Sequence, residues 1–222
     1  AMSARVLQVA NSAYFGLRNP LLHPREAVIY LGLETVRVLT LSVRIFEAYA
    51  PSVGVFDPAV FEQHSLRTAA RARALARTLT ADAAAVDAAF CAGLLHEVGV
   101  LVLASNRTAA YGALLDRLPG AGQGLDALET ETFGASHAAV AAYLFGLWGL
   151  PEEVVEAVLW HHTPDAAWPS IPIQALAGAE ALAPAEEPPP PWELGTRNPD
   201  VLPAVIPPDR AAHWKTICEG IE

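Results

Sequence analysis

Five histidines, His64, His96, His137, His161 and His162, each lie inside or at the start of a stretch that reads as helix. Imidazoles drawn from several helices can gather round one metal ion in a helical core, because their ring nitrogens are borderline ligands suited to iron, manganese or zinc. Residues 88–95 run Ala-Ala-Phe-Cys-Ala-Gly-Leu-Leu and lead into His96-Glu97-Val98-Gly99, so two polar groups break an apolar run. Leaving either buried without a partner costs on the order of a few kcal/mol. A metal, a mutual hydrogen-bond network or water in a cleft must therefore satisfy them. His137 leads into Ala138-Ala139-Val140, and His161-His162 closes the run from Val154 to Trp160, so the same conflict recurs on four segments. Two readings follow: side chains that hold a metal, or side chains that bond to one another and to backbone carbonyls and so fix how helices pack.

The elements that would carry these residues are helices. Alanine is abundant, β-branched alternation is scarce, and apolar residues recur at spacings of three and four, which predicts an all-α fold. Start signals support the segmentation: Asp57 before Pro58, Asp126 with Glu129 as a capping box, and Pro151 before Glu152 and Glu153. The pattern predicts helices near 2–11, 25–32, 34–50, 58–79, 83–104, 106–118, 125–132, 136–148, 151–162 and 170–183. Asn11, Ser12 and Gly16 read as a helix end and turn, with Asn11 tolerant of left-handed backbone and Gly16 terminating the loop. Five prolines between Pro184 and Trp192 end this region, which divides the chain into a main domain over 1–183 and a tail over 184–222. Within the tail, Asp209 to Ile221 suits a short amphipathic helix that presents Trp214 and Ile217 to its own domain.

At 222 residues and 53% hydrophobic, the chain can fill one sizeable core. A net charge of −10 argues against a nucleic-acid partner, which needs clustered Lys and Arg. Arg67, Arg71, Arg73 and Arg77 read as a solvated helix face, and Trp148, Trp160 and Trp168 as core or groove aromatics. Cys91 and Cys218 suggest neither a disulfide framework nor a thiolate metal site, which fits a reducing, cytoplasmic setting. The longest apolar stretch, 83–104, is interrupted by Asp87, His96 and Glu97, so it reads as a buried helix and not as a membrane span. No basic-then-apolar leader is present.

Several stretches together resemble the HDOD domains, signalling relatives of the HD superfamily of metal-dependent phosphohydrolases. They are Asn11 to Gly16, Ala27 to Gly32, His64-Ser65 with Thr68-Ala69, Ala89 to Gly99, Phe133 to His137, and Trp148 to Pro151 through His161-His162. They cover residues 4–183 in the family's order, and the resemblance implies a helical bundle of the HD-domain type. HDOD domains generally begin with further helices ahead of the segment matching Ala4, which implies that amino-terminal helices are missing here.

By similarity to the catalytic HD-GYP phosphodiesterases, His64 matches the first histidine and His96 with Glu97 the His-Asp pair. His137 matches the next histidine, His161 and His162 the later pair, and Glu180 the final carboxylate. The resemblance implies that these seven residues hold iron, manganese or zinc, with metal-bound hydroxide attacking a phosphoester. The pattern departs from that of the enzymes at four places. Glu97 replaces the aspartate, Val100 stands where the enzymes have a lysine, the GYP motif is absent, and Val60 occupies the position of a carboxylate one turn before His64. The expectation is therefore a bacterial signalling module that acts through protein contacts without turnover and partners receiver or cyclic-dinucleotide-handling domains, with self-association also open. A metal-dependent phosphohydrolase and a nucleotide sensor without turnover are the alternatives.

Overall fold

Helix starts follow side-chain caps. Asp57 accepts the amide of Ala59 at 2.8 Å with Pro58 in the first turn, Asp82 accepts that of Ala84 at 3.0 Å, and Ser136 accepts that of Ala139 at 3.2 Å. The computed structural model describes residues 2–15, 17–49, 57–163, 170–184, 190–193, 206 and 210–221. Among them the regular elements are helical, without strands. In order they are α1 (Met2–Ala10), α2 (Pro24–Leu31), α3 (Leu33–Tyr49), α4 (Pro58–Leu79), α5 (Ala83–Leu95) and α6 (Val98–Asn106). There follow α7 (Thr108–Arg117), α8 (Leu125–Phe133), α9 (His137–Leu147), α10 (Glu152–Trp160), α11 (Ile171–Ala181) and α12 (Ala211–Glu219). The all-α expectation holds.

The long α4 packs against both α5 and α11, α5 also touches α10 and α3, and α9 lies between α6 and α10. Two glycines let backbones meet. A Cβ on Gly93 would stand 2.7 Å from the Cα of Ala69 in α4, and one on Gly99 only 2.0 Å from the carbonyl oxygen of His137. These contacts bring the end of α5 onto α4 and the start of α6 onto the start of α9, where three of the histidines sit.

The helix expected over 83–104 is two. It breaks at His96-Glu97, because neighbours on a regular helix point about 100° apart and only a turn lets both side chains reach one interior space. The apolar stretch Ala83–Asn106 has the length and composition of a membrane span, and 78% of its most apolar 18-residue window is buried inside the protein. Asn11 does not adopt left-handed backbone, since no described non-glycine residue has positive φ. Instead its side-chain amide clamps Leu21, donating to the carbonyl at 2.9 Å and accepting the N–H at 2.7 Å; Gly16 lies outside the described residues. Asp126 is not a cap, because α8 starts one residue earlier with Gly124 as its N-cap.

The arginine face is not simply solvated. Arg71 is buried and donates to the carbonyl of Ile221 at 3.3 Å, while Arg73 pairs with Asp87 at 3.1 Å and lies over the Phe90 ring. Trp148 and Trp160 are partly exposed, and Trp168 lies outside the described residues.

Contacts run across residue 183. Trp192 is fully buried with its ring 5.2 Å from Phe61 and 6.2 Å from His64. Trp214 on α12 is fully buried against Gly178 of α11 and donates its indole N–H to Thr78 at 2.9 Å. It joins Leu75, Ala76, Ala175 and Cys218 in a core cluster distinct from the larger one that fills the rest of the bundle.

Candidate metal centre

The seven polar residues enter the interior from five places in the chain. His64 projects from mid-α4, His96 and Glu97 from the turn between α5 and α6, and His137 from the first position of α9. His161 and His162 leave the turn after α10, and Glu180 lies near the end of α11. His64, His96, Glu97, His137 and His161 are buried, while His162 and Glu180 are partly so.

Hydrogen bonds to the ring Nδ1 atoms set which nitrogens face the interior. The Nδ1 of His96 meets the carbonyl of Gly93 at 2.8 Å and that of His161 meets the carbonyl of Val158. A carbonyl only accepts, so each Nδ1 carries a proton, and whenever the ring is neutral its Nε2 presents a lone pair to the interior. There these nitrogens lie beside carboxylates and other imidazoles. His96 Nε2 is 3.3 Å from His64 Nε2, 3.1 Å from Glu180 Oε1 and 3.9 Å from Glu97 Oε1. His137 Nε2 is 2.9 Å from His162 Nε2 and 3.3 Å from Glu97 Oε2. Among the described residues His161 Nε2 has no hydrogen-bond partner; it lies 4.0 Å from Glu180 Oε1, which has no well-aligned donor among them either.

Where such a nitrogen faces a carboxylate oxygen, positive charge must lie between them, as a proton or as a metal ion. Ligands at about 2.1 Å from a tetrahedral ion stand about 3.4 Å apart, close to the separations seen here. Two groups meet that spacing, Glu97 with His137, His161 and His162, and His64 with His96 and Glu97; within each, the ligating atoms lie within 4.8 Å of one another. Glu97 belongs to both, so its two oxygens can bridge them. The donor set of imidazoles and carboxylates fits iron, manganese or zinc.

Charge around the cluster is uneven. Burial disfavours the His137 cation, but the carboxylates of Glu129 and Glu97 outweigh that and raise its pKa to about 9. His161 goes the other way: burial, then the neighbouring imidazoles of His162, His96 and His137, hold it well below the usual histidine range. At the former lysine position Val100 is fully buried, and Val60 is exposed.

Glu129 was outside the predicted site. It is fully buried; one oxygen accepts both the backbone N–H and the ring Nδ1–H of His137, each at 2.6 Å, and the other accepts the hydroxyl of Tyr111 at 2.6 Å. Burial, and then Glu129, push the Tyr111 phenol well above its ordinary range. The sequence did carry a signal, because Leu125, Leu128 and Glu129 form one stripe of α8.

Comparison with known proteins agrees with this fold. The family model for the HDOD domain matches residues 1–164. An uncharacterised protein of Treponema pallidum (strain Nichols) is 30% identical over 169 residues, 73% of this chain; the chain spans about a third (31%) of that relative's length. A candidate phosphohydrolase from Shewanella amazonensis SB2B superposes with a TM-score of 0.67 at 25% identity, over 99% of this chain and 72% of the other. An HDOD domain protein from Geobacter sulfurreducens gives 0.63 at 21%, over 100% and 82%, and shows the fold alone. The MmoQ response regulator of Methylococcus capsulatus str. Bath gives 0.52 at 26%, over 93% and 85%. The chain belongs to the HDOD domain family, whose fold it shares with signal-transduction proteins and response regulators.

Proposed function

We propose that this chain is a signalling module that holds iron, manganese or zinc as a fixed internal centre and works through protein contacts without turning over a phosphoester. The observation that carries the metal is the Nε2 atom of His96, whose Nδ1 donates to the Gly93 carbonyl, set 3.1 Å from a carboxylate oxygen where positive charge must sit. Against turnover stand the burial of His64, His96, Glu97, His137 and His161, the packing of Trp192 against His64, and an apolar Val100 where a phosphate-binding cation would be needed. A centre shared by α4, α9, α11 and the turns after α5 and α10 ties those elements together, which suits transmission of state from one face to another. Receiver or cyclic-dinucleotide-handling domains fit as partners of such a module, and a cytoplasmic setting fits its free cysteines.

Elemental analysis of protein purified without chelator should find bound metal, and Mn2+ or Zn2+ at 100 times its Kd should stabilise the stripped protein by about 2.7 kcal/mol. Cyclic dinucleotides and simple phosphoesters should remain intact. Hydrolysis that disappears in His96→Ala would establish the phosphohydrolase reading instead; a clean preparation lacking metal and showing no metal-induced shift would leave only the packing role.

A further inference from the structure

We propose that Glu129, backed by Tyr111, is the positioning residue for His137: it fixes ring and backbone together so that Nε2 faces the cluster. The assignment rests on the metal-holding reading and on three bonds that converge on one fully buried carboxylate. Its Oε2 takes the ring Nδ1–H and the backbone N–H of His137, both at 2.6 Å, while Oε1 takes the Tyr111 hydroxyl at 2.6 Å.

Each bond removes one freedom. The ring bond places the proton on Nδ1, leaving Nε2 as the only atom of His137 that can ligate. The backbone bond pins the first residue of α9 through one of the amides that a helix start leaves without an intrahelical partner. Tyr111 occupies the remaining oxygen, so the carboxylate cannot rotate away, and its ring stacks on Phe133 at 6.0 Å with planes 7° apart. The close approach of Gly99 to the His137 carbonyl blocks movement from the other side. A carboxylate behind a ligating imidazole also makes that nitrogen a stronger donor to the ion.

Mn2+ affinity of the full chain, measured by calorimetry against a competing chelator, tests this. Glu129→Gln keeps the side-chain shape but removes the charge and one of the two acceptor atoms; Mn2+ binding should weaken 10- to 100-fold. Tyr111→Phe loses a single hydroxyl and should weaken it about 3-fold, which keeps a readout if the first variant folds poorly. Substitution with Co2+ should show a changed visible spectrum in Glu129→Gln, since ligand orientation alters and a purely structural role would leave it unmoved. Mn2+ affinity and spectrum equal to the unaltered chain in both variants would overturn the assignment.

Should the unaltered chain bind no metal at all, the proposed function falls and the positioning claim is decided separately by 15N-histidine NMR of the metal-free chain. A far-downfield Nδ1 proton, lost in His137→Gln and moved upfield in Glu129→Gln, would sustain the positioning; its absence from the unaltered chain would refute it.

Discussion

On α11, Gly178 faces the ring of Trp214, whereas Glu180, two residues on and about 200° round the helix, faces His96. The same split divides α4, where Ala72, Leu75 and Ala76 line the tryptophan cluster and His64 lines the histidine cluster. Both interiors are dense and buried, but their energetics differ in kind. The tryptophan side gains from area removed from water, roughly 25 cal/mol per Å² of apolar surface, and any well-packed apolar set would serve. The histidine side holds groups that cost free energy to bury, and their placement makes sense through what they hold. Stability in this protein should therefore map to one region and ligand chemistry to the other.

The largest test of that division is Trp214→Ala, which empties the centre of the apolar cluster. It should lower unfolding free energy by about 3–5 kcal/mol while leaving Mn2+ affinity of the folded protein within a few-fold. Urea titration with and without metal measures both. A hundred-fold loss of affinity in the folded variant would show that the two regions are one cooperative unit.

Paired glycine substitutions come next. Gly99→Ala drives a methyl into the backbone of His137, which cannot move without carrying α9 with it, and should cost about 3 kcal/mol and weaken metal binding. Gly178→Ala meets the Trp214 ring at 2.7 Å and a Leu75 methyl at 3.3 Å, buried side chains and no backbone, so about 2 kcal/mol and no change in metal affinity are expected. Equal effects on metal binding would erase the distinction between backbone and side-chain contact that separates the two sites. The thiols give a smaller check on the apolar side. Burial pushes Cys91 up to about 12 and Cys218 up to about 11, so neither should react with a disulfide reagent at pH 8 until urea unfolds the chain.

What the sequence made legible follows the same division. The five histidines and Glu97 stood out because polar side chains inside apolar helices are conspicuous, Glu180 was marked by the family resemblance alone, and the structure gathers all seven. The break at His96-Glu97 was not legible, since the apolar run continues through it and periodicity cannot register a turn that only tertiary convergence requires. Glu129 was hidden by a second plausible use, a capping box with Asp126, although its place on the Leu125 and Leu128 stripe marked it as buried. Arg71 was misread for a related reason. It shares the stripe of His64, Thr68 and Leu75 on α4, and its burial depends on a carbonyl 150 residues away, at Ile221, which no local pattern reveals.

The subtlest consequence lies in the pH dependence of the metal-free protein. The folded-state pKa of His161 is depressed by burial and by adjacent imidazoles, so below the unfolded value near 6.5 the unfolded chain takes up a proton that the folded chain refuses. Its contribution is complete above pH 6.5 and is lost on acidification. His137 has the opposite sign: with a folded value of about 9, held up against burial by Glu129 and Glu97, its stabilisation is complete below 6.5 and disappears as pH rises through 9. Stability of the stripped protein should therefore fall on both sides of a maximum near neutrality, with the acid limb visible between pH 6.5 and 5.5, above the range of most carboxylates. His161→Leu replaces the refusing imidazole with an apolar group of similar volume and should flatten that limb while leaving the alkaline one. At pH 7 it should cost about 1 kcal/mol, because the bond from Nδ1 to the Val158 carbonyl is lost while Nε2 has no partner to lose among the described residues. An acid limb of unchanged steepness in His161→Leu would assign the loss to carboxylates elsewhere and make the histidine region electrostatically as quiet as the tryptophan one.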